Sequence, residues 1–383
     1  MDFEFSDDQR QLREAVLAFL AKEYTFDRYK AIKRSASGWD AAVWRGLAEL
    51  GVLAINVPAA LDGLDYGPLE TLALMDACGP SLLLEPVLSS AVIATAALRS
   101  YAGVAPAAEL LRGLARGERI ATLAHFEPEA RFDTRCVSTR ARLHGASYRL
   151  DGHKAVVPHA GAADTLLVSA RTADADEGVM LFLVPRESAG LRFDEYRTVD
   201  GRRAADVYLQ DVELPAANRL GGSRGALPAI EGAFDIGLAA LCAEAVGVMQ
   251  ALLSATVDYL QTRQQFGQPI GRFQALQHRV ADMVIHLEQA RSMSYLAALR
   301  CTSADLRERR RALSAAKVVI SDASRFVGQQ AVQLHGGMGM TDELKASHLF
   351  KRLTAIEVTF GDSDTHLQRY AELTRSNGRA THV

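Results

Sequence analysis

The pattern of apolar residues changes twice along the chain, from helix-like to strand-like and back. This order of patterns limits the fold more than any other feature. Apolar residues recur at helical spacing before about residue 117 and again after about residue 226. The segment between them consists of short apolar runs separated by turn residues, which is typical of β structure. Because strands and helices do not alternate, and no G-x-G-x-x-G follows a predicted strand, a doubly wound dinucleotide-binding fold is disfavoured.

We therefore predict an α+β, multi-domain chain. It has an N-terminal helical domain over residues 1–117, a middle β-barrel domain over 118–219 and a C-terminal four-helix-bundle-like domain over 226–383. Ser6 and Gln9 have the spacing of a capping box that opens the first helix. In the middle domain, Asp151-Gly152 predicts a turn that ends a strand.

Composition excludes several classes of protein. Hydrophobic residues make up 49% and charged residues 23% of the chain, and the formal net charge is −3, so neither disorder nor a nucleic-acid-binding surface is indicated. No signal peptide is evident and no apolar run reaches about 18 residues, so we expect a cytoplasmic protein without a membrane span. The four cysteines are far apart, which predicts neither disulfides nor a metal site.

The first segment with candidate chemistry runs from Arg263 through Phe266-Gly267. It follows a long helical stripe, and a new helix is predicted to begin near Pro269. An arginine beside a glycine turn and a helix N-terminus suits a pyrophosphate group, because guanidinium groups and helix N-termini both attract anions. The same pattern also fits a plain corner between two helices with a surface arginine.

The second segment runs from Gln333 to Met340 and contains Gly336 and Gly337. Closely spaced glycines after a helix allow a ligand or another backbone to approach. On physical grounds alone, a helix C-cap followed by a loop is the favoured explanation.

Together, these segments give the chain a family resemblance. The order R-x-x-F-G, then F-Q-x-x-Q, then Q-x-x-G-G-x-G closely resembles the acyl-CoA dehydrogenase family. Glu127-Pro128 lies where that family has its T-E-P-G flavin loop, and Lys154 opens a stretch similar to K-x-W-I-T-N-G. The resemblance covers nearly the whole chain.

The resemblance implies an FAD-dependent enzyme, assembled as a tetramer, that desaturates an acyl-CoA thioester between Cα and Cβ. In the family, a glutamate removes the α-proton while hydride leaves Cβ for the flavin, and electron-transfer flavoprotein is the usual acceptor. The resemblance also implies which residues reach across the subunit interface to the ADP half of a neighbour's FAD. They are Arg263, Phe266, Gln274, Gln333, Gly336 and Gly337.

The sequence departs from the family where the catalytic base is expected. Counting forward from Gly336 places Phe360 at the usual glutamate, and Gly237 stands at the alternative base position found in some branches. Neither side chain takes up a proton. Counting backward from the final helix instead places Asp362 at the glutamate, although Asp362 or Asp364 also suits the N-cap of that helix.

The stretches that face the flavin ring are altered as well. W-I-T becomes Val156-Val157-Pro158, and T-E-P-G becomes Phe126-Glu127-Pro128-Glu129. Pro158 offers the flavin neither an N–H nor a hydroxyl. Asp235 matches an aspartate near CoA in relatives, but it also suits a helix N-cap. We expect His335 and His366 to be packing or interface residues and not bases.

This asymmetry suggests a degenerate subunit of a heterotetramer, which lacks a base and completes the FAD site of a partner subunit. It resembles the small subunits of heteromeric enzymes of the pimeloyl-CoA and steroid side-chain types. One alternative is a self-sufficient homotetramer that uses Asp362 as its base. Another is a flavin oxidase or monooxygenase on the same fold, which would require a flavin pocket of its own.

Overall fold

The computed structural model of the protein describes residues 5–172, 178–222 and 225–375. Contacts divide the chain into two compact units. The bundle unit consists of Met1–Tyr29, Pro68–Leu83 and Leu238–Val383, and the sheet unit consists of Lys30–Gly67 and Leu84–Gly237. The N-terminal helical segment contributes to both units, so the unit borders do not follow the boundaries predicted along the sequence, which stay a prediction.

Helices occupy the N-terminal segment, as predicted. They are α1 (Asp7–Glu23), α2 (Phe26–Arg34), α3 (Ala41–Glu49), α4 (Pro68–Cys78), α5 (Thr95–Arg99) and α6 (Ala105–Ala115). A π-helical stretch, Val87–Ala94, precedes α5. The capping box is confirmed: Gln9 N–H donates to Ser6 Oγ (3.2 Å) and Ser6 N–H donates to Gln9 Oε1 (3.0 Å).

The middle of the chain forms a mixed sheet. Its strands are β1 (Ala121–Ala124), β2 (Arg140–His144), β3 (Ser147–Pro158), β4 (Thr165–Arg171), β5 (Val179–Pro185), β6 (Leu191–Arg197), β7 (Arg203–Pro215) and β8 (Arg219–Leu220). The strand order is β6-β7-β3-β2-β4-β5-β8, with β1 parallel to β4.

The turn predicted at Asp151-Gly152 is wrong. Both residues lie inside β3, where the register against β7 shifts between Leu150 and Gly152. Gly152 is needed there because a Cβ would lie 2.3 Å from Thr139 Oγ1. Glycine thus marks a bulge with close packing instead of a turn.

The C-terminal segment is helical. It contains α7 (Leu227–Thr262), the short strands β9 (Gln264–Gln265) and β10 (Gln268–Pro269), α8 (Gln274–Arg300), α9 (Leu306–His335), α10 (Lys345–Val358) and α11 (Ser363–Arg375). By length and composition α7 resembles a membrane-spanning helix, but 83% of its most apolar window is buried, as in a core helix.

In the bundle unit, the core of the helical packing includes a buried ion pair. Arg352 on α10 donates from Nε and Nη2 to the two carboxylate oxygens of Glu244 on α7, at 2.8 and 2.7 Å. This bidentate geometry satisfies both charges where water does not reach them. The predicted succession of helical, β and helical segments is confirmed.

Candidate functional site

The R-x-x-F-G segment forms a two-residue β-hairpin directly after α7. β9 pairs antiparallel with β10, and the turn residues Phe266 and Gly267 both have left-handed backbone, with φ of 54° and 77°. Such turns fit the twist of the flanking strands but disfavour a bulky residue. Phe266 is nevertheless 89% exposed. Its ring meets that of Phe273 edge-on, with centroids 5.9 Å apart, and is otherwise open to solvent.

Arg263 stands at the base of this hairpin. Its N–H donates to Tyr259 O (2.9 Å) and its carbonyl accepts from Ile270 N–H (2.9 Å), so the backbone is fixed. The exposed guanidinium makes no hydrogen bond or ion pair with any residue that the structure describes. It is therefore available to an anion.

The helix predicted to begin near Pro269 begins instead at Gln274. A 3-10 turn, Ile270–Arg272, lies in between, and Gln277 Nε2 donates to the Gly271 carbonyl at 2.9 Å. Pro269 ends the hairpin, and the 3-10 turn takes the next residues that the prediction gave to the helix. Gln274 is consequently an exposed residue of the first turn of α8.

The glycine segment lies at the end of α9. Gly336 has φ 60° and ψ −143°, a conformation that is essentially restricted to glycine. A Cβ built on Gly336 or Gly337 would meet nothing within 4 Å. Gln333 is exposed in the last turn of the helix. The backbone here is therefore open to close approach from outside.

A stacked pair that the sequence did not reveal links the two segments. The ring of His335, at the end of α9, stacks on that of Tyr259 in α7 with centroids 4.6 Å apart. Tyr259 O also accepts the Arg263 N–H, so the pair connects Arg263 to the glycine loop. The buried His335 is a packing residue, as expected. Nothing in the spacing of either segment pairs these two rings.

The position that forward counting assigns to the catalytic base carries a phenylalanine on left-handed backbone. Phe360 and Gly361 have φ of 62° and 116°, and His366 Nε2 donates to the Phe360 carbonyl at 3.1 Å. A Cβ on Gly361 would lie 2.8 Å from His366 Nε2, so this position needs glycine. The alternative position, Gly237, is a buried residue of α7.

Lys317 holds the end of α10 just before Phe360. It is completely buried on α9 and donates from Nζ to the carbonyls of Ile356 and Glu357. Burial lowers the pKa of Lys317 to about 8, although the nearby Cys242 and Glu357 favour its charged form. No sequence motif points to Lys317, although a lysine in the middle of an apolar helical stripe is a usable signal.

Asp362 serves as the N-cap of α11. Its Oδ1 accepts the Thr365 N–H at 2.8 Å, and its carbonyl accepts the first intrahelical bond, from His366 N–H. The hydrogen bonds from Thr365 lower the pKa of Asp362. This capping interpretation was one of the two that the sequence left open. Asp364 is exposed in the first turn.

The N-cap interpretation of Asp235 is wrong. α7 begins at Leu227, with Pro228 in its first turn, so Asp235 lies inside the helix. The alternative role of Asp235 near CoA stays a prediction.

In the sheet unit, Glu127 of the T-E-P-G-like loop is part of a buried network. Lys154 Nζ donates to Glu127 Oε1 (2.7 Å) and Ser169 Oγ (3.0 Å), and Thr139 donates to the same carboxylate. Burial opposes the ionisation of Glu127, but the charge and hydrogen bonds of Lys154 and Thr139 lower its pKa to about 2. Burial lowers the pKa of Lys154 to about 8.

The stretch corresponding to W-I-T forms the end of β3. Val156 is 57% exposed and has left-handed backbone (φ 50°), and Pro158 is exposed as well. The Val156 N–H already donates to Asp206 Oδ1 at 2.9 Å. This edge therefore presents apolar side chains and offers few hydrogen-bond donors.

No group of three or more His, Cys, Asp or Glu side chains suited to a metal ion occurs in the described part of the chain. The four cysteines are free.

Three family models match the chain. The N-terminal, middle and C-terminal domain models of acyl-CoA dehydrogenase match residues 6–118, 122–212 and 224–373. Among relatives, Probable acyl-CoA dehydrogenase YngJ of Bacillus subtilis is 29% identical, covering 96% of this chain and 98% of that protein. L-prolyl-[peptidyl-carrier protein] dehydrogenase of Pseudomonas fluorescens is 30% identical, covering 95% and 97%.

Two similar solved structures are named as pairs of proteins. A variant of the Tcur3481-Tcur3483 steroid ACAD has a TM-score of 0.87 and 29% identity, covering 98% of this chain and 99% of its own. The ChsE4-ChsE5 complex from Mycobacterium tuberculosis has a TM-score of 0.87 and 26% identity, with full coverage of both chains.

Proposed function

Since the chain belongs to the acyl-CoA dehydrogenase family, a family of oxidoreductases, we propose that it is a base-lacking subunit of a heteromeric FAD-dependent enzyme. It completes the FAD site of a partner subunit, and the assembly desaturates an acyl-CoA thioester in the cytoplasm. Electron-transfer flavoprotein is the proposed acceptor. Bound FAD would supply the hydride acceptor of the reaction.

The proposal rests on the end of the bundle unit that contains Arg263 and the glycine loop at Gly336 and Gly337. The guanidinium has no partner among the described residues, and the glycine loop is open. A cation at the end of the bundle that also carries an open glycine loop fits a pyrophosphate, since charge-assisted hydrogen bonds to phosphate are strong and glycine lets a ligand approach the backbone closely. The exposed Phe266 ring adds a flat apolar surface of the kind that adenine stacks on.

The residues on the chain's own flavin-facing side fit the cofactor poorly. Pro158 has no N–H, and Phe126 has no hydroxyl where the family has threonine. Phe360 and Gly237 occupy both base positions, and the carboxylate of Asp362 is engaged as a cap. The proposed partner subunit therefore supplies the base and the face of the flavin ring. The paired naming of two similar structures supports a heteromer.

The proposal is tested by expressing the chain alone and then together with the acyl-CoA dehydrogenase encoded nearest to it in its source genome. We expect a colourless protein alone and a yellow complex with about one FAD per pair of chains. A yellow homomer with one FAD per chain, bleached by an acyl-CoA, would contradict the proposal.

Arg263→Ala in the complex tests the contact itself. A hydrogen bond to a charged group contributes about 1.5–3 kcal/mol, so FAD affinity should fall by roughly 10- to 150-fold. Arg311→Ala is the matched control, because Arg311 is also an exposed arginine of the bundle unit but lies near the opposite end of α9. Equal FAD retention in both variants would contradict the role of Arg263.

A further inference from the structure

Two aromatic rings meet in the sheet unit at the flavin-loop position. The ring centroids of Phe126, in the loop, and Phe234, on α7, are 4.8 Å apart at an angle of 33°. His125 lies against both rings, with centroid distances of 5.3 and 5.4 Å. Aromatic pairs at such distances are in direct contact.

The two rings belong to segments that the family resemblance places around the flavin and the catalytic base. By the resemblance, Phe126 replaces the threonine that faces the flavin. Phe234 lies three residues before Gly237 on α7, and residues at this spacing share one face of a helix. The rings therefore join the flavin loop directly to the helix face that carries the alternative base position.

No further ring fits between the side chains of Phe126 and Phe234. A flat ring inserted between two surfaces needs roughly 7 Å, because it makes a van der Waals contact of about 3.5 Å on each side. The two centroids are only 4.8 Å apart.

Hydrogen bonds also fix the position of the loop that carries Phe126. Thr134 Oγ1 donates to Glu231 Oε1 of α7 at 3.0 Å, which fixes the far side of the loop to the first turns of the helix. Glu127 accepts the N–H groups of Ser138 and Thr139 while paired with Lys154. The contact between Phe126 and Phe234 is therefore part of a loop whose position is fixed by several hydrogen bonds.

We propose that Phe126 and Phe234 form an aromatic plug that excludes the isoalloxazine ring from this chain's own flavin position. The plug, and not only the missing hydrogen-bonding groups, limits the complex to one FAD per pair of chains. This inference rests on the proposed function, because it concerns the second, unused position of the same assembly.

The test is Phe126→Thr in the co-expressed complex, alone and combined with Pro158→Thr. FAD released by denaturation is measured against the protein, and native mass confirms the assembly. We expect FAD per pair to rise about twofold, from one towards two, with two dissociation phases on dilution. Phe193→Thr is the matched control, since Phe193 is a half-buried phenylalanine on β6 of the same unit, and it should leave the ratio unchanged.

Phe234→Ala removes the other ring from the helix side and covers the case in which the loop variants fail to fold. A folded complex that keeps one FAD per pair in every plug variant overturns the plug. That result leaves the trans role intact, because the unmodified complex and its Arg263→Ala variant test that role separately. An unmodified complex that already holds two FAD per pair overturns both.

Discussion

The Arg263 end of the bundle unit and the flavin-loop region of the sheet unit are built in opposite ways. At the first, a cation has no partner among the described residues and two glycines leave the backbone open. At the second, Lys154 and Glu127 satisfy each other and two rings close the space. Buried polar groups that satisfy one another indicate a structural role, whereas an exposed cation without a protein partner is available to a ligand.

The largest loss of stability is expected when the buried pair of Lys154 and Glu127 is broken. Lys154→Met leaves the Glu127 carboxylate buried without its cation, which costs roughly 3–5 kcal/mol of the free energy of unfolding. Adding Glu127→Gln should recover most of this loss. Arg149→Met, on the same strand but in a surface pair with Asp211 at 3.2 Å, should cost at most about 1 kcal/mol. Denaturant unfolding measures all three.

If Lys154→Met is as stable as Arg149→Met, the network of Lys154 and Glu127 does not stabilise the fold. The contrast between the Arg263 end and the flavin-loop region is then lost. If it instead changes FAD retention at unchanged stability, the sheet-unit network belongs to the cofactor site.

Acid should destabilise both units through buried histidines. Burial first, and nearby cations second, lower the pKa of His125 to about 3 and that of His366 to about 4, from 6.5. The unfolded chain therefore binds more protons between pH 4 and 6.5, so stability falls as the pH drops through this window. Each histidine contributes about 1.4 kcal/mol per pH unit.

Unfolding measured from pH 7 to 5 tests this slope. His125→Gln and His366→Gln should each flatten it, whereas His144→Gln, an exposed histidine on β2, should not. A slope that is unchanged in both buried-site variants would contradict the assignment.

Two neighbouring glycines of the open region should separate ligand binding from folding. Gly336→Ala forces alanine into a glycine-only conformation and should cost about 1–3 kcal/mol of stability. Gly337→Ala places its Cβ in open space and should leave stability within about 0.5 kcal/mol, yet lower FAD retention about tenfold if the nucleotide approaches this backbone. Gly103→Ala, in the sheet unit, also meets open space and serves as the control.

FAD retention in the complex and melting of the chain alone are the two measurements. A Gly337→Ala complex that holds FAD as firmly as the Gly103→Ala complex would show that the open backbone is not part of the site.

The sequence predicted the elements whose signals are local. The Ser6–Gln9 capping box and the long stripes of α8 and α9 depend on residues close in the chain, so spacing was sufficient. The motif residues of the candidate site were identified by resemblance, and their roles stay predictions.

The sequence-based predictions were wrong or missing where residues far apart in the chain determine the local structure. Asp151-Gly152 resembles a turn, but β7 and Thr139 make it a bulge. The stack of Tyr259 on His335 and the contact of Phe126 with Phe234 join positions about 70 to 110 residues apart. No local pattern records such pairings, because they depend on how the elements pack.

The smallest effect is expected at Asp362, and it decides between the degenerate subunit and the self-sufficient enzyme. Asparagine caps helices about as well as aspartate, so Asp362→Asn should change stability by only a few tenths of a kcal/mol, whereas Asp362→Ala should cost about 1 kcal/mol. The Asn variant should also leave acyl-CoA-dependent reduction of the complex unchanged. Asp364→Asn, at an exposed first-turn residue, controls for the loss of a charge near the helix N-terminus.

The two interpretations of Asp362 separate cleanly because a base and a cap need different things from the carboxylate. A base needs to take up a proton, which the amide does not do; a cap needs only an oxygen that accepts the Thr365 N–H. Abolished flavin reduction in an Asp362→Asn complex with normal FAD content and melting would therefore make Asp362 the base. Unchanged reduction would leave the proton transfer to the partner subunit.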